Sequence, residues 1–180
     1  MSAKKVVITG GPGTGKTSVI KSLEKQGFIC LPEISRQVTL DARKNGIEQL
    51  FLTEPLLFSE KLLEGRVLQF HQATSHTSNL VFLDRGLPDV LAYMNYIGDS
   101  YPKSFVETCK KHVYDVVFIL PPWEEIYTSD TERYENFEQA IRIHEHLHNT
   151  YEQFGYDLTH VPKGSVKQRV DFILNTLSLE

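Results

Sequence analysis

The stretch GGPGTGKT, residues 10–17, decides the fold of this chain. It fits the pattern G-x-x-x-x-G-K-[ST] at every defined position. The β-branched run at residues 6–9 predicts a strand before it, and helix-forming residues follow at positions 16–26 until Gly27 ends them. In a strand, glycine turn and helix of this kind, backbone N–H groups and the helix N-terminus surround a phosphate group. The pattern therefore predicts a nucleoside triphosphate site.

Each residue of this loop has an expected role. Lys16 is predicted to reach the β- and γ-phosphates, and the Thr17 hydroxyl is predicted to bind Mg²⁺. The chain contains no Asn-Lys-x-Asp tetrad, which is the usual guanine-reading device of GTPase switches, and this favours ATP as the bound nucleotide. The predicted nucleotide contacts are Gly11, Pro12, Gly13, Thr14, Gly15, Lys16, Thr17 and Ser18.

The rest of the chain alternates short apolar runs with helical patterns. Runs at residues 28–31, 80–83, 115–120 and 157–161 predict four more strands. Helices are predicted over residues 35–44, 54–75, 89–96, 102–112, 137–154 and 165–177. In the second of these, an apolar stripe of Leu56, Leu63, Val67 and Phe70 has charged residues, Arg66 among them, between its members. Strands separated by helices predict an α/β fold with a parallel sheet of about five strands, covered on both faces.

Length, charge and cysteine content limit the classes of protein to which this chain can belong. Its 180 residues suit a single domain spanning residues 1–180, and a formal net charge of −4 argues against a nucleic-acid partner. The apolar runs are far shorter than the roughly 18 residues that span a bilayer, so no membrane association is expected. Cys30 and Cys109 show no metal-ligand spacing. They are expected to be reduced thiols in a cytoplasmic protein.

Charged residues follow two of the predicted strands, at the edge where ligands of open α/β sheets bind. Glu33 comes after the second strand, where its carboxylate could accept the proton of an attacking hydroxyl, and Arg36 one helical turn later could hold an anionic group. Asp84 and Arg85 come after the third strand. A strand-end aspartate commonly helps to hold hydrated Mg²⁺, and Arg85 would then lie over the transferred phosphate or the acceptor.

The segment after the fourth strand is polar and predicts a lid, at about residues 124–142. It contains Asp130, Thr131, Glu132 and Arg133. A mobile lid at this position would close over ATP and exclude water that competes as acceptor. Arg133 is the preferred lid arginine, with a catalytic and nucleotide-binding role.

These features together resemble the predicted ATPase/kinase family related to the ribosylnicotinamide kinase domain of NAD metabolism. The resemblance rests on the phosphate loop, on Glu33 with Arg36, on Asp84 with Arg85, on a D-x-x-R lid segment and on Val161-Pro162 before the last helix. It implies a P-loop three-layer sandwich with strand order 2-3-1-4-5. It also implies that Glu33 is the catalytic base, that Arg36 and Arg85 contact acceptor or phosphate, and that Pro162 and Lys163 form an adenine-side loop.

The leading hypothesis from the sequence is an ATP- and Mg²⁺-dependent kinase of nucleoside or nucleotide type, with Lys16, Glu33, Arg85 and Arg133 as catalytic residues. Its acceptor would be a small molecule that offers a hydroxyl or a phosphate. Two alternatives stay open at this point: a non-catalytic ATP- or GTP-binding regulatory module, and a simple NTPase. The sequence leaves the choice between a monomer and a homodimer open.

Overall fold

Five parallel strands form the centre of the protein, which we describe from a computed structural model covering residues 3–127 and 135–178. The strand order is β2-β3-β1-β4-β5, which is the order that the resemblance implied. The strands are β1 Lys4–Gly10, β2 Ile29–Leu31, β3 Leu80–Asp84, β4 Val116–Leu120 and β5 Leu158–His160. Because β1 lies at the centre, the phosphate loop that follows it emerges in the middle of the sheet's carboxyl edge.

Eight α-helices connect and cover these strands in the described part of the chain. They are α1 Lys16–Lys25, α2 Ser35–Lys44, α3 Leu50–Thr53, α4 Pro55–Ser75, α5 Leu87–Ile97, α6 Lys103–Lys111, α7 Phe137–Gln153 and α8 Val166–Ser178. The four-residue α3 and a 3₁₀ turn at Glu124–Ile126 were not predicted. Both are too short to show a hydrophobic period. Among the described helices, none is long and apolar enough to cross a membrane.

Alternation along the strands divides the core between the two faces of the sheet. Val6 and Ile8 point to one face, where they pack with α1 and α8, whereas Val7 points to the other face, which α4, α5, α6 and α7 cover. Side chains buried on both faces explain why the strands appear in the sequence as continuous apolar runs. The three-layer α/β sandwich predicted from the sequence is therefore confirmed.

Helix α4 departs from its predicted pattern. Its buried positions include Leu62, Arg66, Gln69 and Ala73, so the Arg66 side chain lies on the covered stripe rather than between stripe residues on the surface. Arg66 is only 3 % exposed, whereas Leu56, which was expected in the stripe, is 40 % exposed. Leu63, Val67 and Phe70 pack in or against the core, as predicted. The prediction for Arg66 was wrong because a cation was expected to point to solvent, and this one has buried partners.

The core can be tested with one chemical change at two sites. Leu23 in α1 is 0 % exposed, and Leu68 on α4 is 70 % exposed. Leu23→Ala should lower the free energy of unfolding by about 2–5 kcal/mol, because it leaves a cavity between α1 and the sheet. Leu68→Ala should change the free energy of unfolding by less than about 0.5 kcal/mol. Urea unfolding followed by circular dichroism measures both, and equal losses would contradict this description of the core.

Candidate functional site

The phosphate-binding loop joins β1 to α1 and has two glycines in the left-handed region of the backbone. Gly13 has φ 72° and Gly15 has φ 79°, conformations that side chains with a Cβ atom rarely adopt. The buried Thr14 hydroxyl donates to the Gly11 carbonyl at 3.1 Å and braces the turn from inside. The loop is thus held as a tight turn that leads directly into the N-terminus of α1.

Neighbouring side chains pack against both of these glycines. A Cβ atom at Gly13 would lie 2.3 Å from the Tyr127 ring, and one at Gly15 would lie 2.8 Å from the Arg169 guanidinium. The segment after β4 therefore contacts the loop at one corner, and α8 contacts it at the other. The backbone conformation favours glycine at both positions, and at Gly13 the Tyr127 ring also leaves no space for a side chain.

Lys16 and Asp84 form a buried ion pair at the loop. Asp84 ends β3, the strand beside β1, and its Oδ1 accepts a hydrogen bond from the Lys16 ammonium. Burial, and after it the charge on Arg85, lowers the pKa of Lys16, while Asp84 and Glu33 oppose that shift. The two residues predicted to hold the phosphates and the metal are therefore already in contact.

Glu33 lies just beyond β2 and is surrounded by donors. Its Oε1 accepts hydrogen bonds from the backbone N–H groups of Ile34 at 3.0 Å and Ser35 at 3.2 Å, and from Arg66 Nη2 at 3.0 Å. Its buried Oε2 lies 2.5 Å from Arg85 Nε but is not aligned for a hydrogen bond with any group of the described chain. Oε1 is thus saturated, whereas Oε2 keeps capacity to accept one more hydrogen bond.

The charge state of Glu33 follows from these neighbours. Burial by itself would raise the pKa of the carboxyl group, but the positive charges of Arg66, Arg85 and Lys16 and the Ser35 hydrogen bond outweigh it and lower the pKa to about 2. Glu33 is therefore a carboxylate throughout the physiological range, and it accepts hydrogen bonds rather than donating them.

Arg85 is the one described residue other than glycine with a positive φ, at 75°. Its Nη1 donates to Asp89 Oδ1 at 3.2 Å, which fixes the guanidinium beside Glu33. Asp89 is itself 0 % exposed and also accepts from the Thr9 hydroxyl at 2.6 Å, the Gly86 N–H at 2.9 Å and the Tyr151 hydroxyl at 2.5 Å. One buried carboxylate therefore joins β1, α5 and α7 and holds Arg85 in its strained conformation.

Four of the predicted site residues, Lys16, Glu33, Asp84 and Arg85, are brought together by these contacts. The side chains of Thr17 and Ser18 are exposed at the start of α1, and that of Arg36 is exposed in the first turn of α2. Pro162 and Lys163 are exposed directly after β5, at the same edge of the sheet.

The predicted lid is described only in part. Residues 124–126 form the 3₁₀ turn and residues 137–142 are the first part of α7. Arg133, the predicted lid arginine, lies outside the described residues, so its role stays a prediction.

Three further residues of this region were not predicted from the sequence: Arg66, Asp89 and Arg169. For Arg66 a signal was present, because residues 62, 66, 69 and 73 have helical spacing and place an arginine in the middle of a stripe of otherwise uncharged residues. Asp89 could not be distinguished from an ordinary residue in the first turn of a helix. Arg169 is separated from Thr14, whose carbonyl it contacts, by most of the chain.

Several solved structures share this architecture. Deoxyadenosine kinase from M. mycoides with bound dCMP and dCDP superimposes with a TM-score of 0.71 at 18 % identity, covering 98 % of this chain and 100 % of that one. NadR in complex with NR gives 0.72 at 17 % identity, with 99 % of this chain and 52 % of that one covered. Thymidylate kinase from Candida albicans gives 0.68 at 14 % identity, with 99 % and 92 % covered. No curated protein matches this sequence.

The strand order and the glycine loop after β1 together define a P-loop α/β fold, and the solved structures named above share this fold. Residues 5–169 match the family described as AAA domain. This match spans most of the chain, which therefore belongs to that family.

The hydrogen bond from Tyr151 to Asp89 can be removed without changing the ring. Tyr151→Phe should lower the free energy of unfolding by about 1–3 kcal/mol, because the buried carboxylate loses one of its donors. Tyr96→Phe is the control, since Tyr96 lies half-buried on α5 and packs edge-on against His146. Urea unfolding measures the free energy of unfolding of both variants. A Tyr151→Phe protein as stable as the control would contradict the proposed importance of this contact.

The ion pairs of Glu33 make stability depend on pH in a defined interval. Its pKa falls from 4.5 to about 2 on folding, so its contribution to stability is complete above about pH 4.5 and is lost as the pH falls toward about 2. The difference in free energy of unfolding between the natural protein and Glu33→Gln should therefore shrink by up to about 3 kcal/mol across this interval.

Urea titrations of both proteins at a series of pH values in the interval measure this change. Glu64→Gln, at an exposed site on α4 that pairs only with Lys61 in the described chain, should show no such trend. A constant difference between the natural protein and Glu33→Gln would show that the carboxyl group is not paired in the folded state.

Proposed function

We propose that this protein is a kinase that transfers the γ-phosphoryl group of ATP to a hydroxyl group of a small molecule. The observation that carries the proposal is the contact of Lys16, Asp84, Glu33 and Arg85, which come from the ends of three neighbouring strands. A phosphate-binding lysine, a metal-side aspartate, a carboxylate for the acceptor and an arginine for developing charge are the parts that phosphoryl transfer requires. The deoxyadenosine kinase and the thymidylate kinase that share this fold support the same class.

The charges around Glu33 favour a neutral acceptor. Three cations, Lys16, Arg66 and Arg85, contact three carboxylates, those of Asp84, Glu33 and Asp89. A phosphorylated acceptor would need spare positive charge close to the attacking group. Because each of these cations already pairs with a carboxylate, we propose that the acceptor group is an alcohol, such as the hydroxyl of a nucleoside, rather than the phosphate of a nucleotide. Arg36, on the exposed side of α2, is proposed to contact the acceptor farther from the reacting atom.

In the proposed reaction the loop binds ATP, Glu33 orients the acceptor, and Arg85 contacts the transferred group. The backbone N–H groups of Gly11 and of residues 13–18 bind the phosphate chain of ATP, and the Lys16 ammonium binds the β- and γ-phosphates. Glu33 Oε2 accepts a hydrogen bond from the acceptor hydroxyl and orients its oxygen toward the γ-phosphorus. The hydroxyl oxygen bonds to the γ-phosphorus as the bond from that phosphorus to the β,γ-bridging oxygen breaks and ADP leaves. The hydroxyl proton passes late to Glu33 Oε2, because a carboxylate with a pKa of about 2 is a weak base. Arg85 stabilises charge on the transferred group.

The donor set fits a magnesium ion. Mg²⁺ takes oxygen ligands, usually one or two from the protein and the rest from phosphates and water. In the described residues no three His, Cys, Asp or Glu side chains are grouped to hold a metal, so phosphate ligands would have to complete the coordination. Thr17 and Asp84 would hold the ion, which neutralises charge on the β- and γ-phosphates when bound. We further propose that Arg133 contacts the phosphates and that Pro162 and Lys163 border the adenine.

The decisive variant is Glu33→Gln, which removes the carboxylate and keeps its size. Acceptor-dependent ADP release should fall by about 10²–10⁴-fold, while the Kd for ATP should stay within about threefold, because Glu33 acts on the acceptor. The measurement is ADP release with a panel of nucleosides and the matching 5′-monophosphates, with Glu64→Gln as the control for losing an exposed carboxylate.

Other results of the same assay would contradict the proposal in distinguishable ways. ATP hydrolysis that ignores every acceptor would identify a simple NTPase. Tight ATP binding without turnover would identify a regulatory module. Faster turnover with monophosphates than with nucleosides would show that the argument from matched charges is wrong.

A further inference from the structure

Arg169 differs from the other buried cations of the described chain. Lys5, Lys16 and Arg66 each pair with a carboxylate, at Asp115, Asp84 and Glu33 respectively. Arg169, on the first turns of α8, is 5 % exposed, and the described residues offer it no carboxylate. Burial lowers the pKa of its guanidinium. A buried charge without a counter-charge is unfavourable, so its position requires an explanation.

The contacts of Arg169 direct it to the phosphate loop. Its Nη1 donates to the Thr14 carbonyl at 2.9 Å, and its Nη1 and Nη2 lie 2.8 and 2.9 Å from where a Cβ of Gly15 would be. Its Nε is buried and has no hydrogen-bond partner in the described chain. The guanidinium is thus fixed against the corner of the loop that precedes Lys16.

The loop itself has little unmatched positive charge. Lys16 is in contact with Asp84, so in the free protein its charge is largely compensated. A triphosphate carries several negative charges, and the interaction of an ion with a cation in a water-poor region is stronger than in bulk solvent. Arg169 is the nearby cation whose charge no described carboxylate offsets.

Trp123 covers the same guanidinium from the segment after β4. The Arg169 Cζ atom lies 5.8 Å from the centroid of the Trp123 ring, within the range of a cation–π contact. The ring restricts water on that side and so keeps the charge effective toward the loop. Trp123 is also the single tryptophan of the sequence, so tryptophan fluorescence reports on the surroundings of this one ring.

We propose that Arg169, covered by Trp123, is part of the donor-nucleotide site and that the phosphate chain of the bound nucleoside triphosphate supplies its missing counter-charge. This inference rests on the proposed function in so far as ATP is the ligand of the loop. Arg169 acts through electrostatic attraction across the Thr14–Gly15 corner, and the recognised chemistry is the polyanion rather than the base. Binding of the phosphate chain changes the surroundings of Trp123.

The test measures ligand binding and stability of the full chain in parallel. In the natural protein, Mg-ATP and inorganic triphosphate should both change Trp123 emission. Half of the change should occur at the ligand concentration expected from the Kd that calorimetry gives. Adenosine should leave the emission unchanged. Arg169→Met should weaken both ligands by roughly tenfold or more. The affinities of the Arg169→Lys protein should lie between those of the natural protein and those of the Arg169→Met protein. Lys167→Met, which removes one exposed positive charge from the same helix, should change the affinity by less than about twofold.

The thermal midpoint separates this role from a structural one. Under the proposal, the Arg169→Met protein without ligand melts at or above the temperature of the natural protein, because an unmatched buried charge has been removed. Adding ATP raises the thermal midpoint of the Arg169→Met protein by less than it raises that of the natural protein. A structural role predicts the reverse, a lower midpoint without ligand and an undiminished shift on adding ATP, and that result would overturn the proposal.

The remaining outcomes are also decisive. Emission that responds to adenosine and not to triphosphate would show that Trp123 contacts the base and would overturn the assignment to the phosphate chain. Unchanged ATP affinity in a folded Arg169→Met protein would do the same. If the natural protein itself fails to bind ATP by calorimetry, the proposed function fails, and this is recorded before any variant is compared.

Discussion

The buried carboxylate of Asp89 is the contact on which the geometry of the site depends. It accepts hydrogen bonds from Thr9 at the end of β1, from Gly86 and Arg85 in the turn after β3, and from Tyr151 on α7. A fully buried carboxylate is tolerated only where donors surround it, so these three elements and α5, which carries Asp89, cannot shift independently. Arg85 keeps its unfavourable backbone conformation because Asp89 holds its side chain.

From Arg85 the network of ion pairs continues to Glu33, beyond the end of β2. Arg85 and Arg66 enclose Glu33, and Arg66 in turn donates to the Gly86 carbonyl at 3.0 Å. Charges of both signs alternate through the site, which keeps each one compensated without water. The result is a rigid arrangement built on strand ends and helices, and such arrangements position reacting groups better than loops do. Helix α7, which follows the predicted lid, is joined to this arrangement through Tyr151.

The positions of most helices and strands could be predicted, because they follow from the pattern of apolar and turn-forming residues within each segment. Helix α2 begins and ends where the sequence indicated, and the other main helices and the five strands differ from their predicted bounds by one or two residues. Strand order came from family resemblance, since nothing in the spacing of apolar runs distinguishes one order from another. Lys16, Glu33, Asp84 and Arg85 could be expected to lie close together, because parallel strands place their carboxyl ends at one edge of the sheet. Arg66 was misplaced because charge was assumed to point outward.

The sequence by itself determined the class of fold and the position of the phosphate loop, because hydrophobic period and glycine placement are properties of neighbouring residues. Only the tertiary structure decided which distant charges meet. Arg169 contacts the Thr14 carbonyl, and Tyr151 contacts Asp89, across separations that no local pattern records. The reason is physical: a buried charge must find a partner or another compensating group, and which group lies within reach depends on how the helices pack on the sheet.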